Sequence, residues 1–372
     1  MSSLPDTFDS PSASHVSAAS ATPLHKLLAA AKQTNSGRPP VWFMRQAGRY
    51  LPQYRAVRQR ADFLTMVRTP ELATEVTLQP VDLIGVDAAI IFSDILVVPE
   101  AMGMHLEMHE GSGPRFPFPV REMSAIKSLR APDVEDAISY TLDAIRLTRR
   151  ALAGRVPLIG FAGAPWTLAS YMIEGEGTKH FHVVKKLVFT QPAVVHELLR
   201  RLTIVVGDFL IAQARAGAQI VQLFDSWASA LGPRESAEFA MPYASQIVQR
   251  VRREAGVPVI MFAPGAGASL AAMTRATGAD VIGIDWQTSP HVARDLAAAH
   301  GVATQGNLDP CALFGTPDDV RARTLRMLRD MYSPRYIANL GHGVLPDTPD
   351  ENAKAFVDTV KAFTPGTDAP TG

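Results

Sequence analysis

Cysteine is almost absent from this chain of 372 residues, which contains only Cys311. A disulfide framework within the chain is therefore excluded, which fits a reducing compartment better than a secreted scaffold. The sequence has no uninterrupted apolar stretch long enough to span a bilayer. Neither sign of charge is in excess, because 36 lysines and arginines balance 36 aspartates and glutamates. A nucleic-acid surface needs a basic excess, so we expect no nucleic-acid or membrane partner, whereas a local basic pocket remains compatible with this balance.

Motifs that point to common cofactors or nucleophiles are missing as well. The chain has no G-x-G-x-x-G after its first predicted strand and no glycine-rich loop ending in Lys-Ser or Lys-Thr. It also lacks Cys-x-x-Cys, a close pair of His and Cys of the kind that binds zinc, and a Gly-x-Ser-x-Gly elbow. The sequence thus gives no indication of a dinucleotide, a nucleotide phosphate, a zinc ion or a serine nucleophile.

The two ends of the chain differ in composition from the rest. Residues 1–23 are rich in Ser, Ala, Thr and Pro and contain no Lys or Arg, and Asp6 and Asp9 are present. They lack the basic start and apolar middle of a secretory signal and the arginines of a transit peptide. We expect a disordered extension over 1–23, one catalytic domain over 24–363 and a loose tail over 364–372. We also expect a cytoplasmic location.

Eight short runs of apolar and β-branched residues recur along the chain. Most are followed by a polar or glycine-containing turn and then by a segment long enough for a crossover helix. Such runs are typical of strands that are buried on both faces of a parallel sheet. We predict an α/β protein with a (β/α)₈ TIM-type barrel; the alternative, an open doubly wound sheet, lacks its glycine-rich fingerprint here. The predicted strands are Val41–Met44, Val86–Ser93, Val156–Ala162, Gln219–Phe224, Val257–Ala263, Val281–Ile284, Ala303–Gly306 and Tyr336–Leu340.

Two segments lie outside the strand–helix repeat. Leu24–Gln33 is an apolar, helix-like segment before the first predicted strand. Leu106–Pro119 is a long loop, rich in Gly and Pro, after the second predicted strand. An insertion on this side of a barrel can form a lid or part of a partner surface.

Two arginines, Arg45 and Arg49, directly follow the first predicted strand. Arginine stays protonated and presents a fixed fork of donors that matches a carboxylate. Two such forks at a strand end predict a site for a substrate with several carboxylates. The alternative is that both side chains are solvated or paired with a nearby acid, which by itself would predict little.

Polar and aromatic residues follow most of the other predicted strands. In a barrel the carboxyl ends of the strands meet at one rim, so these residues would converge there. Each also has a structural interpretation, since an Asp or Ser can cap a helix, a His between glycines can occupy a turn, and aromatic rings can simply pack. The candidates are Asp94, Phe161, Tyr171, Phe224, Ser226 and His342.

At these positions the chain resembles the uroporphyrinogen decarboxylase family. The resemblance extends from about residue 24 to 363, and the arginine motif and the glycine–histidine motif are its most specific parts. It implies a (β/α)₈ barrel, usually a homodimer, that works without metal or organic cofactor. It also implies loss of carbon dioxide from the four acetate side chains of uroporphyrinogen, which gives coproporphyrinogen in heme and chlorophyll precursor synthesis. The matching segments are Arg45–Pro52, Ile91–Leu96, Gly163–Thr167, Gly306–Pro310 and Asn339–Gly343.

The resemblance also implies a role for each candidate residue. Asp94 matches the family aspartate on which the four pyrrole N–H groups converge. Arg45 and Arg49 match residues that bind substrate carboxylates, and Arg45 matches a proposed proton donor. The other implied roles are orientation of acetate or propionate groups by Tyr171 and His342, contact with a carboxylate by Ser226, and apolar walls formed by Phe161 and Phe224.

Two other functions remain open at this point. Corrinoid-linked methyltransferases share the barrel but hold a zinc ion with His and Cys, and Cys311 has no His partner nearby in sequence. A non-catalytic carrier of tetrapyrroles or other polyanions would keep the arginines without needing catalysis by Asp94. A zinc assay tests the first alternative and an activity assay tests the second.

Overall fold

A seven-stranded parallel sheet forms the centre of the computed structural model, which describes residues 25–109 and 113–367. Every neighbouring pair of strands in it is parallel and in chain order, as expected for consecutive βα units. Two further strands pair as an antiparallel hairpin outside the sheet. The strands of the sheet are β1 (Ala89–Ile90), β4 (Leu158–Gly163), β5 (Ile220–Phe224), β6 (Val259–Phe262), β7 (Val281–Gly283), β8 (Ala303–Leu308) and β9 (Tyr336–Leu340), and the hairpin consists of β2 (Glu107–His109) and β3 (Gly113–Arg115).

The predicted first strand, Val41–Met44, lies between β9 and β1 and closes the sheet into a barrel. It pairs with β9 at one position, Val41 opposite Ala338. On the β1 side its backbone donors bond to side chains: the N–H of Val41 donates to Asp87 Oδ2 (2.9 Å) and that of Phe43 to Gln46 Oε1 (3.3 Å). Backbone bonds also occur, from Trp42 N–H to Ala338 and from Asp87 N–H to Val41. The prediction of a regular strand was wrong because two of its donors bond to side chains and the backbone pairing is limited to isolated positions. The other seven predicted strands are confirmed, Tyr336–Leu340 with its predicted ends and the rest with shifted ends.

Helices cover the outside of the barrel and pack against their neighbours in sequence. At least one helix follows each strand of the sheet, which is the arrangement of a TIM-type barrel. Short helical turns occur at Pro80–Ile84 (π), Ala228–Ala230, Gly267–Ser269 and Pro310–Phe314 (3₁₀). The α-helices are α1 (Lys26–Ala31), α2 (Pro52–Arg60), α3 (Phe63–Arg68), α4 (Pro70–Gln79), α5 (Val97–Ala101), α6 (Met123–Ser128), α7 (Val134–Ala137), α8 (Ser139–Leu152), α9 (Pro165–Glu174), α10 (His182–Thr190), α11 (Pro192–Ala216), α12 (Pro233–Phe239), α13 (Met241–Ala255), α14 (Leu270–Thr277), α15 (Pro290–His300), α16 (Pro317–Met331) and α17 (Asp350–Ala362).

Proline and glycine mark many of the helix ends. Helices α9 and α11 begin with a proline, whose missing N–H is not needed in the first turn. Both helices are followed by a glycine at positive φ, Gly175 (92°) and Gly217 (128°). A proline at the start and a glycine after the end set the length of each of these helices.

Buried amide side chains cross the interior of the barrel. Trp42 Nε1 donates to Gln305 Oε1 (2.9 Å), and Gln305 Nε2 donates to Gln222 Oε1 (3.3 Å). Because Gln222 on β5 and Gln305 on β8 belong to strands that are not neighbours, their hydrogen bond spans the lumen. These polar groups satisfy one another, so the barrel floor is closed beneath the rim.

The long insertion after the second predicted strand forms the hairpin β2–β3. The backbone of Arg115 at the end of β3 forms an isolated antiparallel bridge with that of Glu176, and the N–H of Phe116 donates to the carbonyl of Gly175 (2.6 Å). These contacts fasten the hairpin to the segment after α9. Its role as a lid stays a prediction.

The extension predicted over 1–23 and the last five residues of the predicted tail lie outside the described residues. Within the described ranges, no helix is long and apolar enough to cross a membrane.

Candidate functional site

Arg45 occupies a tight turn at the carboxyl end of the barrel. Its φ of 62° is left-handed, a conformation that is uncommon for a residue with a side chain and that concentrates at functional sites. The turn is held by the N–H of Val344, which donates to the carbonyl of Met44 (3.0 Å). A Cβ atom at Gly343 would lie 2.7 Å from Arg45 Cγ and 3.0 Å from Arg45 Nε, so the arginine side chain runs directly over this glycine. The arginine motif and the glycine–histidine motif are therefore in contact.

Asp94 lies just after β1, where the chain turns towards α5. One carboxylate oxygen, Oδ1, accepts a hydrogen bond from the N–H of Leu96 (2.7 Å). Burial raises the pKa of Asp94, while this hydrogen bond and the positive charge of Arg45 act in the opposite direction. The capping interpretation of Asp94 is wrong, because the N-cap residue of α5 is Leu96 and no side chain caps this helix. The bond to Leu96 does not explain why a half-buried carboxylate lies near an arginine.

Arg45 links Asp94 to two further candidates, Tyr171 and His342. Burial and the nearby Asp94 raise the pKa of Tyr171 to about 12. Burial and Arg45 lower the pKa of His342 to about 4, with Asp285 acting against them. At neutral pH the tyrosine therefore keeps its phenol O–H and the histidine is an uncharged imidazole. Asp94, Tyr171 and His342 are thus each within electrostatic reach of Arg45.

Aromatic rings form one wall of the same region. Phe161 and Phe224 meet edge to face with ring centroids 5.6 Å apart, and Phe224 contacts Phe262 in the same way at 6.2 Å. Phe262 in turn lies 6.3 Å from the ring of His342, which also meets Trp286 at 6.0 Å. The wall joins the two predicted phenylalanines to the histidine. An apolar wall of this kind excludes water from a neighbouring charged group.

Two predicted residues have weaker ties to this cluster. Arg49 is exposed and acts electrostatically on Tyr54 rather than on Asp94. Ser226 is half-buried in the turn after β5, next to Trp227, whose ring packs against Tyr171 with centroids 5.6 Å apart. Neither Arg49 nor Arg45 forms a salt bridge with another described residue. Both arginines are therefore available to an anionic ligand.

Sequence reasoning missed several residues of this rim. Phe262 and Trp286 belong to the aromatic wall, and Phe262 could have been found because it faces the same side as Phe224 in the strand register. Asp225 and Thr167 are fully buried behind the wall and hydrogen-bonded to each other (2.7 Å). That contact joins residues 58 positions apart, so no local pattern indicates it.

A metal centre was one of the open alternatives. Within the described ranges, no group of three or more His, Cys, Asp or Glu side chains is placed to hold a metal ion. Cys311 is exposed, and the N–H of this residue donates to Asp309 at the start of a helical turn.

Comparisons with known proteins show to which family the chain is similar. A family model described as uroporphyrinogen decarboxylase matches residues 22–363. Proteins of that name from Chlorobium luteolum and Salinibacter ruber are 47% and 46% identical, each aligned over 90% of this chain and over 96% and 94% of their own lengths. The protein of the same name from Chloroherpeton thalassium is 48% identical over 87% of this chain and 93% of its own length.

Solved structures with a similar fold are more distant in sequence. A methyltransferase from Methanosarcina mazei has a TM-score of 0.75 at 20% identity, covering 90% of this chain and 97% of its own. A B12-independent methionine synthase from Shewanella has a TM-score of 0.51 at 11% identity, over 79% of this chain and 86% of its own. These likenesses show the barrel fold alone. The family model and the curated relatives go further, and they show that this chain belongs to the uroporphyrinogen decarboxylase family.

Proposed function

We propose that this chain removes carbon dioxide from the four acetate side chains of uroporphyrinogen and so forms coproporphyrinogen. The family name supplies the reaction, and the rim of the barrel supplies residues suited to it. The observation that carries the proposal is the grouping of Arg45, Asp94, Tyr171 and His342 at one rim, with the arginine outside any salt bridge among the described residues. We propose that these four act as the catalytic residues.

Asp94 is the centre of the proposed site. One of its oxygens is occupied by the Leu96 N–H, which fixes the orientation of the carboxylate. The other can accept hydrogen bonds from pyrrole N–H groups that converge on it. A carboxylate that is already in place also stabilises positive charge on a pyrrole ring without reorganising.

The substrate itself provides the electron sink for the reaction. A proton added to the ring carbon next to the one that bears the acetate makes that ring positively charged. The bond to the carboxylate then breaks, its electron pair forms an exocyclic double bond, and carbon dioxide leaves. Protonation of the exocyclic carbon gives the methyl group, and loss of the proton from the ring restores the pyrrole, so each acetate consumes one proton.

The remaining residues bind and orient the substrate in this proposal. Arg45 is the proposed proton donor and, with Arg49, binds carboxylates, since a guanidinium and a carboxylate can share two parallel hydrogen bonds. Tyr171 and His342, both uncharged at neutral pH, orient acetate or propionate groups. Ser226 contacts a carboxylate, and Phe161 and Phe224 keep water away from the reacting ring.

An anaerobic incubation tests the proposal. Metal-stripped protein is mixed with uroporphyrinogen, and the oxidised products are separated by their number of carboxylates. Stepwise appearance of porphyrins with seven, six, five and four carboxylates is expected. Unchanged substrate that is nevertheless bound would favour the carrier. Unchanged substrate together with stoichiometric zinc in the protein as purified would favour the metal-dependent methyltransferase class.

A cytoplasmic homodimer is part of the same proposal. The support is the resemblance to the family, together with the single exposed Cys311. Light scattering of the purified full-length chain measures the oligomeric state directly. A mass of one chain at micromolar concentration would contradict the dimer.

A further inference from the structure

A buried carboxyl–hydroxyl pair lies behind the aromatic wall. Asp225 directly follows β5 and is 1% exposed, and Thr167 in the first turn of α9 is fully buried. Thr167 Oγ1 donates to Asp225 Oδ1 at 2.7 Å. The same hydroxyl accepts a hydrogen bond from the N–H of Trp227 at 3.2 Å. Thr167 therefore connects the carboxyl group of Asp225 to the backbone of the turn two residues later.

A second side chain from α9 holds the other end of the same residue. Trp166 Nε1 donates to the carbonyl oxygen of Trp227 at 3.0 Å. Both polar backbone groups of Trp227 are thus bonded to adjacent side chains of one helix. Because Ser226 lies between Asp225 and Trp227, its backbone is fixed by the same contacts.

The Trp227 ring carries this fixation to the site. It contacts the ring of Phe181 at 5.1 Å and that of Tyr171 at 5.6 Å, with an angle of 51° between the Tyr171 and Trp227 planes. Trp227 also lowers the pKa of the Tyr171 phenol, against the larger effect of burial. Tyr171 lies one helical turn after Thr167 on α9, so helix and turn hold the phenol from two sides.

The chemistry of the pair is unfavourable for stability alone. Burial raises the pKa of Asp225 to about 6, which means that its ionised form is disfavoured in the folded protein. A buried polar pair can often be replaced by apolar residues of similar volume without loss of stability. The presence of the pair is therefore better explained by the geometry that it imposes on Trp227.

We propose that Asp225 and Thr167 are positioning residues: they fix Trp227, and through its ring they hold the Tyr171 phenol against the substrate. This inference rests on the role proposed for Tyr171 above. It assigns to the turn after β5 a function that is not contact with the substrate by Asp225 itself, whose carboxyl group faces α9. The pair then matters for turnover rather than for the affinity of the porphyrinogen.

The test uses Thr167→Val, which keeps the shape of the side chain and removes both hydrogen bonds, and Thr167→Ser, which keeps the hydroxyl. We expect Thr167→Val to lower kcat about tenfold, because both hydrogen bonds that hold Trp227 through this hydroxyl are lost, with KM changed less than about twofold. Thr167→Ser should restore kcat to within about threefold of the unaltered protein. A rise in KM with kcat unchanged, or an inactive Thr167→Ser variant, would overturn the inference.

A double variant separates positioning from general damage. If Thr167 acts through Tyr171, Thr167→Val should cause little further loss in a Tyr171→Phe background, because coupled residues are not additive. Additive losses would overturn the inference. A Tyr171→Phe variant with full activity would instead refute the proposed role of Tyr171. If Thr167→Val does not fold, as judged by circular dichroism, Trp227→Phe replaces it in the same cycle and must show the same non-additivity.

Discussion

At the amino-terminal end of the barrel, Arg38 donates to Asp87 with both guanidinium nitrogens (2.6 and 2.9 Å), and Asp87 also accepts from the N–H of Val41. Asp280 is used in the same way, since it accepts from the N–H of Val259 and lies 3.5 Å from Arg252. At the carboxyl-terminal end the same residue types have another arrangement. There Arg45 and Asp94 influence each other electrostatically without forming a salt bridge.

The two ends of the barrel have different purposes. Paired aspartates and arginines at the amino-terminal end join neighbouring strands and satisfy their first N–H groups. Arg45, near the half-buried carboxylate of Asp94, forms no salt bridge with any described residue. It is suited to a ligand that brings both carboxylates and N–H donors, which is the proposed substrate. In TIM barrels the carboxyl end is where activity lies and the amino end is where stability lies.

The largest expected effect is at Asp94. Asp94→Asn keeps the volume of the side chain and an oxygen that can accept from the N–H of Leu96, and it removes the negative charge. We expect kcat/KM to fall about 100-fold or more, the loss typical of a preorganised electrostatic group, with an unchanged melting temperature. Asp133→Asn is the matched control, since Asp133 accepts the corresponding bond from the N–H of Glu135 and has no role in the proposed site, so turnover should be unaltered. Full activity of Asp94→Asn would remove this residue from the site.

Gly343→Ala tests the contact between the two motifs at the rim. The added Cβ would lie 2.7 Å from Arg45 Cγ, so the flexible arginine must move while the backbone stays in place. We expect kcat/KM to fall about tenfold to 100-fold, because small displacements of a positioning group are costly. In an Arg45→Ala background the methyl group has room, and Gly343→Ala should then have no further effect. A further loss in that background would contradict the contact.

Salt should weaken substrate binding at the rim by a smaller factor. We expect KM for uroporphyrinogen to rise about threefold between ~0.05 M and ~0.5 M salt, since exposed carboxylate–arginine contacts are screened. An Arg45→Met variant provides the control and should show a shallower dependence. A KM that is independent of salt would contradict the electrostatic role of the arginines.

The smallest effect concerns stability and pH at Asp225. Its pKa is about 6 in the folded protein against an ordinary value of 3.8, so ionisation above pH 6 is penalised in the folded state alone. A difference of this size corresponds to at most about 3 kcal/mol. Asp225→Asn should therefore raise the melting temperature by about 2–5 °C at pH 8 and by less at pH 5. The exposed Asp347→Asn should show no such pH dependence; a gain that is larger at pH 5 would have the wrong sign.

Much of the fold could be predicted because it depends on local pattern. The order of the strands follows from the strand–helix repeat, and seven of the eight strands lie where the apolar runs predict them. The irregular first strand could not be predicted because the N–H groups of Val41 and Phe43 donate to the side chains of Asp87 and Gln46, and Asp87 is distant in sequence.

The candidate site was predictable to the extent that barrel topology brings strand ends together. That rule placed Asp94, Tyr171 and His342 at one rim without any knowledge of distances. It could not separate Arg45 from Arg49, because the left-handed turn at Arg45 and its packing over Gly343 arise from tertiary contacts. The pairing of Thr167 with Asp225 was hidden for the same reason.

We propose that arginines at the two ends of the barrel have different roles: those at the amino end stabilise the fold, and Arg45 at the carboxyl end binds the substrate. The most direct test measures melting temperature and kcat/KM for Arg38→Met and Arg45→Met together. Arg38→Met leaves Asp87 without its guanidinium and should lower the melting temperature by several degrees, with kcat/KM of the folded protein unchanged. Arg45→Met should leave the melting temperature unchanged and lower kcat/KM about 100-fold. If both variants lose stability to the same extent, or both lose activity to the same extent, the account is contradicted.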